Sequence, residues 1–259
     1  GEFRLYSNHS RILTSCEQLG FRPLPPVIWY KPANSPTKFM GSGMLPPGAY
    51  VTLEHEWVLL LRNGRRRSFT AAEEKRRRRA SAVFWEERNR WFTGLWELRG
   101  VRQKMNGTDL RARSGAFPFE LSFRLIQMFS LLGDTVLDPF LGAGTTMRSA
   151  AVSARHSLGM ELDAELAEEA GRALSGAVQS DAERMRQRFD DHHAFIEQYR
   201  AGGKRPKHVH ALHGYPVVTA QERELRLPET ERLQAEDTQR FTAYHRELIP
   251  ESFHPYPGD

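Results

Sequence analysis

The sequence is poor in cysteine, with Cys16 the only one among 259 residues. One thiol excludes a disulfide framework and a cysteine-rich zinc site, and it suits a reducing cytoplasm, the expected location. No apolar run approaches the roughly 18 residues of a membrane span, and there is no charged-then-apolar stretch of the kind that directs export. No internal repeat is apparent. What is present is length for one large domain or two small ones, with 39% hydrophobic residues to fill a core.

The overall charge of +5 hides an asymmetry. Between Arg62 and Arg113 there are 16 Lys and Arg against 6 Asp and Glu, so the rest of the chain is net acidic. The densest part is Arg65, Arg66 and Arg67, then Lys75, Arg76, Arg77, Arg78 and Arg79, with Trp85, Trp91, Phe92 and Trp96 close behind. Concentrated cations neutralise phosphates and release counterions, and neighbouring aromatics can stack on bases. A solvated loop or disordered basic tract would carry the same charge. The position of the segment between two well-patterned regions favours nucleic acid.

Val27-Ile28-Trp29-Tyr30 reads as a buried strand ended by Pro32, and the Pro- and Gly-rich stretch from Ala33 to Gly48 as loop. Glu56 to Leu61 reads as a second buried strand stopped at Asn63-Gly64. From Phe119 to Leu132, the spacing of Leu121, Leu125, Met128, Phe129 and Leu132 predicts a helix with those residues on its inner face. Then come a strand at Thr135-Val136-Leu137, a glycine-bearing loop to Gly144, a helix over 145–154, a strand from Ser157, and a helix from Asp163 to Leu174. This alternation is the rhythm of a parallel α/β sheet. Ser180 to Tyr199 reads as a further helix, and the polar sequence beyond Gly202-Gly203 as a poorly structured extension.

The most informative stretch runs Asp138-Pro139-Phe140-Leu141-Gly142-Ala143-Gly144-Thr145-Thr146. It leaves a strand and opens a helix, where a nucleotide-like ligand meets backbone amides at the carboxyl edge of a sheet. A phosphate-cradling loop needs Gly-Lys-Ser/Thr, but Thr145 follows Gly144 directly, and a dinucleotide loop needs a third glycine where Met147 stands. An acid at the strand end would repel a pyrophosphate, yet it suits a ligand with an ammonium group and no phosphate, such as S-adenosylmethionine. Glu161 closes the next strand, where a carboxylate can accept the hydroxyls of a ribose. A tight strand-to-helix turn would account for the glycines alone, but not for the acid, the aromatic and the second acid together.

These residues resemble the DNA methyltransferases that act on exocyclic amino groups, in the circularly permuted arrangement called the beta class. The resemblance spans roughly residues 21–170. It is carried by Asp138 to Thr146, Gly159-Met160-Glu161-Leu162-Asp163, Ala116-Phe117-Pro118-Phe119-Glu120-Leu121, Ile28-Trp29-Tyr30-Lys31-Pro32 and His55-Glu56-Trp57-Val58-Leu59. The late glycine loop marks the permuted class. The resemblance implies a Rossmann-like α/β sheet, incomplete at the N-terminus, with helices on both faces. It also implies methyl transfer from S-adenosylmethionine to N4 of cytosine or N6 of adenine in a specific double-stranded DNA site, in a restriction-modification system or as an orphan. Phe117, Pro118, Asp138, Pro139, Phe140, Gly142, Gly144, Thr145 and Glu161 would hold the cofactor, and Arg62 to about Arg99 would face DNA. Residues 1–61 would be the first part of the methyltransferase domain, 62–113 a basic DNA-facing insert, 114–178 the cofactor-binding part, and 179–259 a charged helix with its extension.

The family's acceptor-binding motif, Ser/Asp/Asn-Pro-Pro-aromatic, is not found, since Pro25-Pro26 lies between Leu24 and Val27, and Pro46-Pro47 between Leu45 and Gly48. Its permuted position lies upstream of Val27, further back than Gly1 reaches. The expectation is therefore a carboxyl-terminal fragment, inactive alone, prone to self-association through open strand edges and homodimeric as one outcome, with a cognate restriction endonuclease elsewhere in the system. A non-catalytic DNA- or cofactor-binding remnant is the alternative, and an RNA methyltransferase a weaker one. His208, His210 and His213, and Asp190-Asp191-His192-His193, show no ligand spacing, so no metal is expected.

Overall fold

A computed structural model describes residues 4–32, 53–100, 117–237 and 240–249. The chain divides into two compact units, residues 1–68 with 92–101 and residues 69–91 with 102–259.

In the first unit, helix α1 (Asn8–Gln18) precedes strand β1 (Arg22–Pro23), which pairs antiparallel with β4 (Leu61–Arg62). The central strand β2 (Val27–Tyr30) pairs antiparallel with β3 (His55–Val58) and parallel with β5 (Leu95–Glu97). The β-branched and aromatic residues of β2 suit a half-buried pleat. Trp29 lies directly across from Trp96, both are buried, and Trp29 Nε1 donates to the Leu98 carbonyl at 2.7 Å. Buried indoles of this kind need such a partner.

The second unit begins with α2 (Ala72–Ala80) and α3 (Trp85–Trp91), followed by α4 (Phe119–Phe129). Strands β6 (Thr135–Asp138) and β7 (His156–Gly159) pair in parallel, joined through α5 (Thr145–Val152). Helix α6 (Ala164–Ala201) starts where the Asp163 carboxylate accepts the Glu165 and Leu166 amides. It is followed by the antiparallel pairs β8 (His208–Val209) with β9 (Pro216–Val217), and β10 (Pro228–Ala235) with β11 (Phe241–Glu247). One apolar cluster joins Phe84, Trp91, Phe123, Val152, Met185, Tyr215, Val217, Leu225 and Leu227. Inside it Arg188 makes a bidentate pair with Glu87, at 2.6 and 2.8 Å, and lies over the Trp91 ring. The fork geometry uses both carboxylate oxygens, which a buried charge requires.

Several expectations are corrected. The second strand is split into β3 and β4, and Trp57 in it is exposed rather than buried. Helix α4 is rotated, so that Leu121, Ser122, Phe123, Ile126 and Gln127 face inward while Phe129 is exposed. Its inner polar groups are satisfied from across the helix pair, Ser122 Oγ by Ser149 Oγ at 2.6 Å and Gln127 Nε2 by Ser153 Oγ at 3.0 Å. The two helices expected over 163–199 are one, because no proline interrupts them and Gly176 alone costs only about 1 kcal/mol. The described part of the carboxyl-terminal extension is folded, and its Tyr215, Val217, Leu225 and Leu227 belong to the core. Within the basic stretch expected over 62–113, α2 and α3 belong to the second unit and 62–68 and 92–100 to the first, while 101–113 lie outside the described residues. The loop expected over 33–48 lies outside the described residues.

Candidate functional site

Parallel pairing sets the site. Asp138 pairs in register with Gly159, so Asp138 and Glu161 leave their strands at the same carboxyl edge. The chain ladder continues past the strands, with Met160 N–H on the Asp138 carbonyl at 2.9 Å and Leu141 N–H on the Met160 carbonyl at 2.8 Å. Asp138 Oδ1 accepts the Phe140 amide at 3.0 Å and turns the chain. Gly142 N–H then donates to Glu161 Oε2 at 2.9 Å, tying the glycine loop to the end of the neighbouring strand.

Two glycines have conformational reasons to be there. Gly144 has φ +76°, and a Cβ on it would stand 3.3 Å from Ala170 Cβ of α6. Gly142 has φ +54°, in the same left-handed region.

Glu161 Oε1 also accepts the Leu162 and Asp163 amides, at 2.9 and 3.1 Å. The amides of Asp163 and Gly142 hold its carboxyl below the usual 4.5, so it is anionic at neutral pH. With two donors on Oε1 and one on Oε2, one lone pair of Oε2 remains open. The Phe140 ring, two residues before Gly142, is 87% exposed, and Met160 and Leu162 are exposed as well. The edge therefore offers an anionic acceptor, backbone freed of side chains, and apolar surface, a set suited to a sugar joined to an aromatic base.

The expected residues Asp138, Phe140, Gly142 and Glu161 are thus joined by hydrogen bonds in one loop, with Pro139 inside the same turn. Gly144 and buried Thr145 begin α5. Phe117 and Pro118 are half-buried at the head of α4, which packs along α5, and Ala116 lies outside the described residues. Met160 and Leu162 were missed by the sequence reading. Their signal was apolar residues alternating with acids over Gly159 to Asp163, past the end of the strand.

Comparison with known proteins follows the same residues. The DNA methylase family of N6 and N4 methyltransferases matches residues 3–172. The chain belongs to this family. It is similar to the type II methyltransferase M.MthZI of Methanothermobacter thermautotrophicus, 43% identical over 250 residues, covering 96% of this chain and 69% of that protein. It is also similar to the type II methyltransferase M.MjaI of Methanocaldococcus jannaschii, 48% identical over 166 residues, 64% of this chain and 54% of that one. In three dimensions it resembles a DNA modification methylase of Thermus thermophilus, TTHA0409, solved in complex with S-adenosyl-L-methionine, with TM-score 0.52 and 32% identity over 68% of this chain and 62% of that one. The family fold is the Rossmann-like sheet of S-adenosylmethionine-dependent methyltransferases. The chain spans roughly half to two thirds of the length of these relatives.

In this family member the basic residues are not all free to meet a ligand. Arg65, Arg66 and Arg67 are exposed after β4, and Lys75, Arg76, Arg78 and Arg79 are exposed on α2. Arg77 is turned inward and donates to Asp134 Oδ1 at 2.7 Å, while Ser81 Oγ accepts the Leu132 amide at 2.9 Å. These bonds moor α2 to the turn that enters β6. Arg76 pairs with Glu73, Arg79 with Glu224 at 2.9 Å, and Arg78 lies over the Phe69 ring. The aromatics expected to stack on bases are divided, because Trp91 and Trp96 are buried in the two cores while Trp85 and Phe92 are exposed. No helix among the described residues is long and apolar enough to cross a membrane.

Proposed function

We propose that this chain carries the cofactor-binding portion of a site-specific DNA methyltransferase that transfers a methyl group from S-adenosylmethionine to N4 of cytosine or N6 of adenine in double-stranded DNA. The observation that carries this reading is the Gly142 amide bound to the Glu161 carboxylate, which joins both strand ends into one cradle. The residues present fit the cofactor. The open lone pair on Glu161 Oε2 accepts a ribose hydroxyl, exposed Phe140 offers a face to adenine, and Asp138 supplies the negative charge that an amino-acid ammonium needs. Gly142 and Gly144 keep side chains off the approach, Pro139 and Thr145 frame the turn, and Phe117 and Pro118 line the methionine end. When bound, the cofactor supplies an electrophilic sulfonium methyl.

Arg65, Arg66, Arg67, Lys75, Arg76, Arg78 and Arg79 meet DNA phosphates, with Arg77 holding α2 in place for them. The enzyme works in a restriction-modification system beside a cognate endonuclease that it need not touch, or as an orphan, and assembles as a homodimer. A second reading, a DNA- and cofactor-binding protein without turnover, is favoured by one observation: neither Pro-Pro pair in these 259 residues has a polar residue before it or an aromatic after it. Incubation with methyl-labelled cofactor and DNA, followed by nucleoside analysis, tests both. Label on N4-methylcytosine or N6-methyladenine at a defined sequence, from this chain or from a form extended upstream, supports the first; cofactor and DNA binding without transfer by either form supports the second, and binding of neither overturns both.

A further inference from the structure

We propose that Glu86, His192 and Glu222 form a structural site for a divalent metal ion of the zinc type, apart from methyl transfer and contrary to the sequence expectation of no metal. Glu86 lies on α3, His192 on α6, and Glu222 closes the 3-10 turn Ala220–Glu222, so the three come from segments far apart in the chain. One ligand atom from each lies within 4.8 Å of the others. His192 and Glu222 are buried, and the Phe84 ring stacks on the imidazole at 4.0 Å.

Hydrogen-bond accounting points to an ion. His192 Nε2 faces the Pro216 carbonyl at 2.9 Å, and a carbonyl only accepts, so Nε2 carries a hydrogen. Nδ1 lies 2.9 Å from Glu86 Oε1. A bare lone pair against a carboxylate repels, so a proton or a cation lies between them.

A proton satisfies only that contact. Glu86 Oε2 is buried with no hydrogen-bond partner among the described residues, and a lost partner there costs about 1–3 kcal/mol. A metal ion engages the Glu86 carboxylate as a whole. Glu222 Oε2 is filled by the Thr219 amide and hydroxyl, whereas Oε1 accepts only the Trp85 amide and keeps a lone pair.

Charge agrees. Two carboxylates with an imidazolium leave the cluster, two of its three residues buried, net negative, but two carboxylates, a neutral imidazole and a divalent cation are neutral. Tetrahedral ligands with metal bonds of about 2.1 Å stand about 3.4 Å apart, so an ion between Nδ1 and Oε1 needs their 2.9 Å separation to open by about half an ångström. An imidazole whose far N–H donates to a backbone carbonyl is the usual support of a metal-bound histidine. One imidazole and two carboxylates without a thiolate select a zinc-type ion over a soft one. The ion would fasten α3, α6 and the carboxyl-terminal extension together.

The test uses the whole chain, stripped with a chelator and titrated with Zn²⁺ by calorimetry and thermal unfolding. The expected result is one Zn²⁺ per chain and a raised unfolding midpoint, with affinity cut at least about tenfold in Glu86→Gln and Glu222→Gln, as loss of a ligand demands. X-ray absorption of the zinc-loaded wild type needs no variant to fold, and is expected to show one imidazole with oxygen neighbours. Absence of stoichiometric binding, binding undiminished in both folded variants, or a shell of several imidazoles overturns the site. Nitrogen resonances showing both His192 ring nitrogens protonated in the metal-treated protein overturn it as well, and assign the contact to a proton.

Discussion

Replacing Gly144 by alanine probes the joint between the glycine loop and α6. The residue sits at φ +76°, where an L side chain costs about 1 kcal/mol. The new methyl would stand 3.3 Å from Ala170 Cβ and 3.6 Å from its carbonyl oxygen, and these are atoms of a helix in the core rather than the end of a flexible side chain. Overpacking of that kind adds about 1–2 kcal/mol. The sum of roughly 2–3 kcal/mol corresponds to a fall in Tm of about 5–10 °C for a domain of this size. Gly203→Ala is the control, because its φ is +78° and nothing lies within 4 Å of the added methyl, so it carries the strain alone. Thermal unfolding followed by circular dichroism should rank wild type above Gly203→Ala, and Gly203→Ala above Gly144→Ala. If the two variants melt together, the loop does not bear on α6 as described.

Arg188→Met leaves Glu87 buried and uncompensated, so it should cost about 3–5 kcal/mol in urea unfolding, while the double variant with Glu87→Met should recover part of the loss. A double variant worse than the single one would contradict this. Burial holds the His210 and His245 imidazoles below their usual 6.5. The unfolded chain therefore takes up protons that the native chain refuses as pH falls below 6.5, and stability is flat above that value and declines beneath it. A urea midpoint as high at mildly acidic pH as at neutral pH would refute that reading. Lys75→Gln with Arg78→Gln should lower the salt dependence of DNA binding by about one to two in log–log slope without changing Tm. Arg77→Gln should do the reverse, lowering Tm by loss of the Asp134 pair and sparing the slope.

The glycine loop was legible in the sequence because its determinants are local: a strand, an acid, two glycines and a helix within a dozen residues, with Glu161 one strand on. What was illegible depends on partners distant in the chain. The inner face of α4 is set by Ser149 on α5 and by Ser153 at its end, which make Ser122 and Gln127 better buried than Phe129. Trp91 and Trp96 stand beside a basic run and read as base-stacking residues, yet a hydrophobic core claims each of them. The polar strands β10 and β11 have no apolar alternation of their own. They are held by pairing with each other and by Leu233, Phe241 and Ala243 packed against Ala151 and Leu174. Glu86 and His192, 106 residues apart, gave no spacing to read, because they meet only when α3 packs on α6.

Isothermal calorimetry of the chain with S-adenosylmethionine and its demethylated product, on wild type and Glu161→Ala, tests the central claim most directly. One saturable site is expected in the wild type, lost in the variant while the fold persists. Heat absent from both proteins, or equal in both, would contradict it.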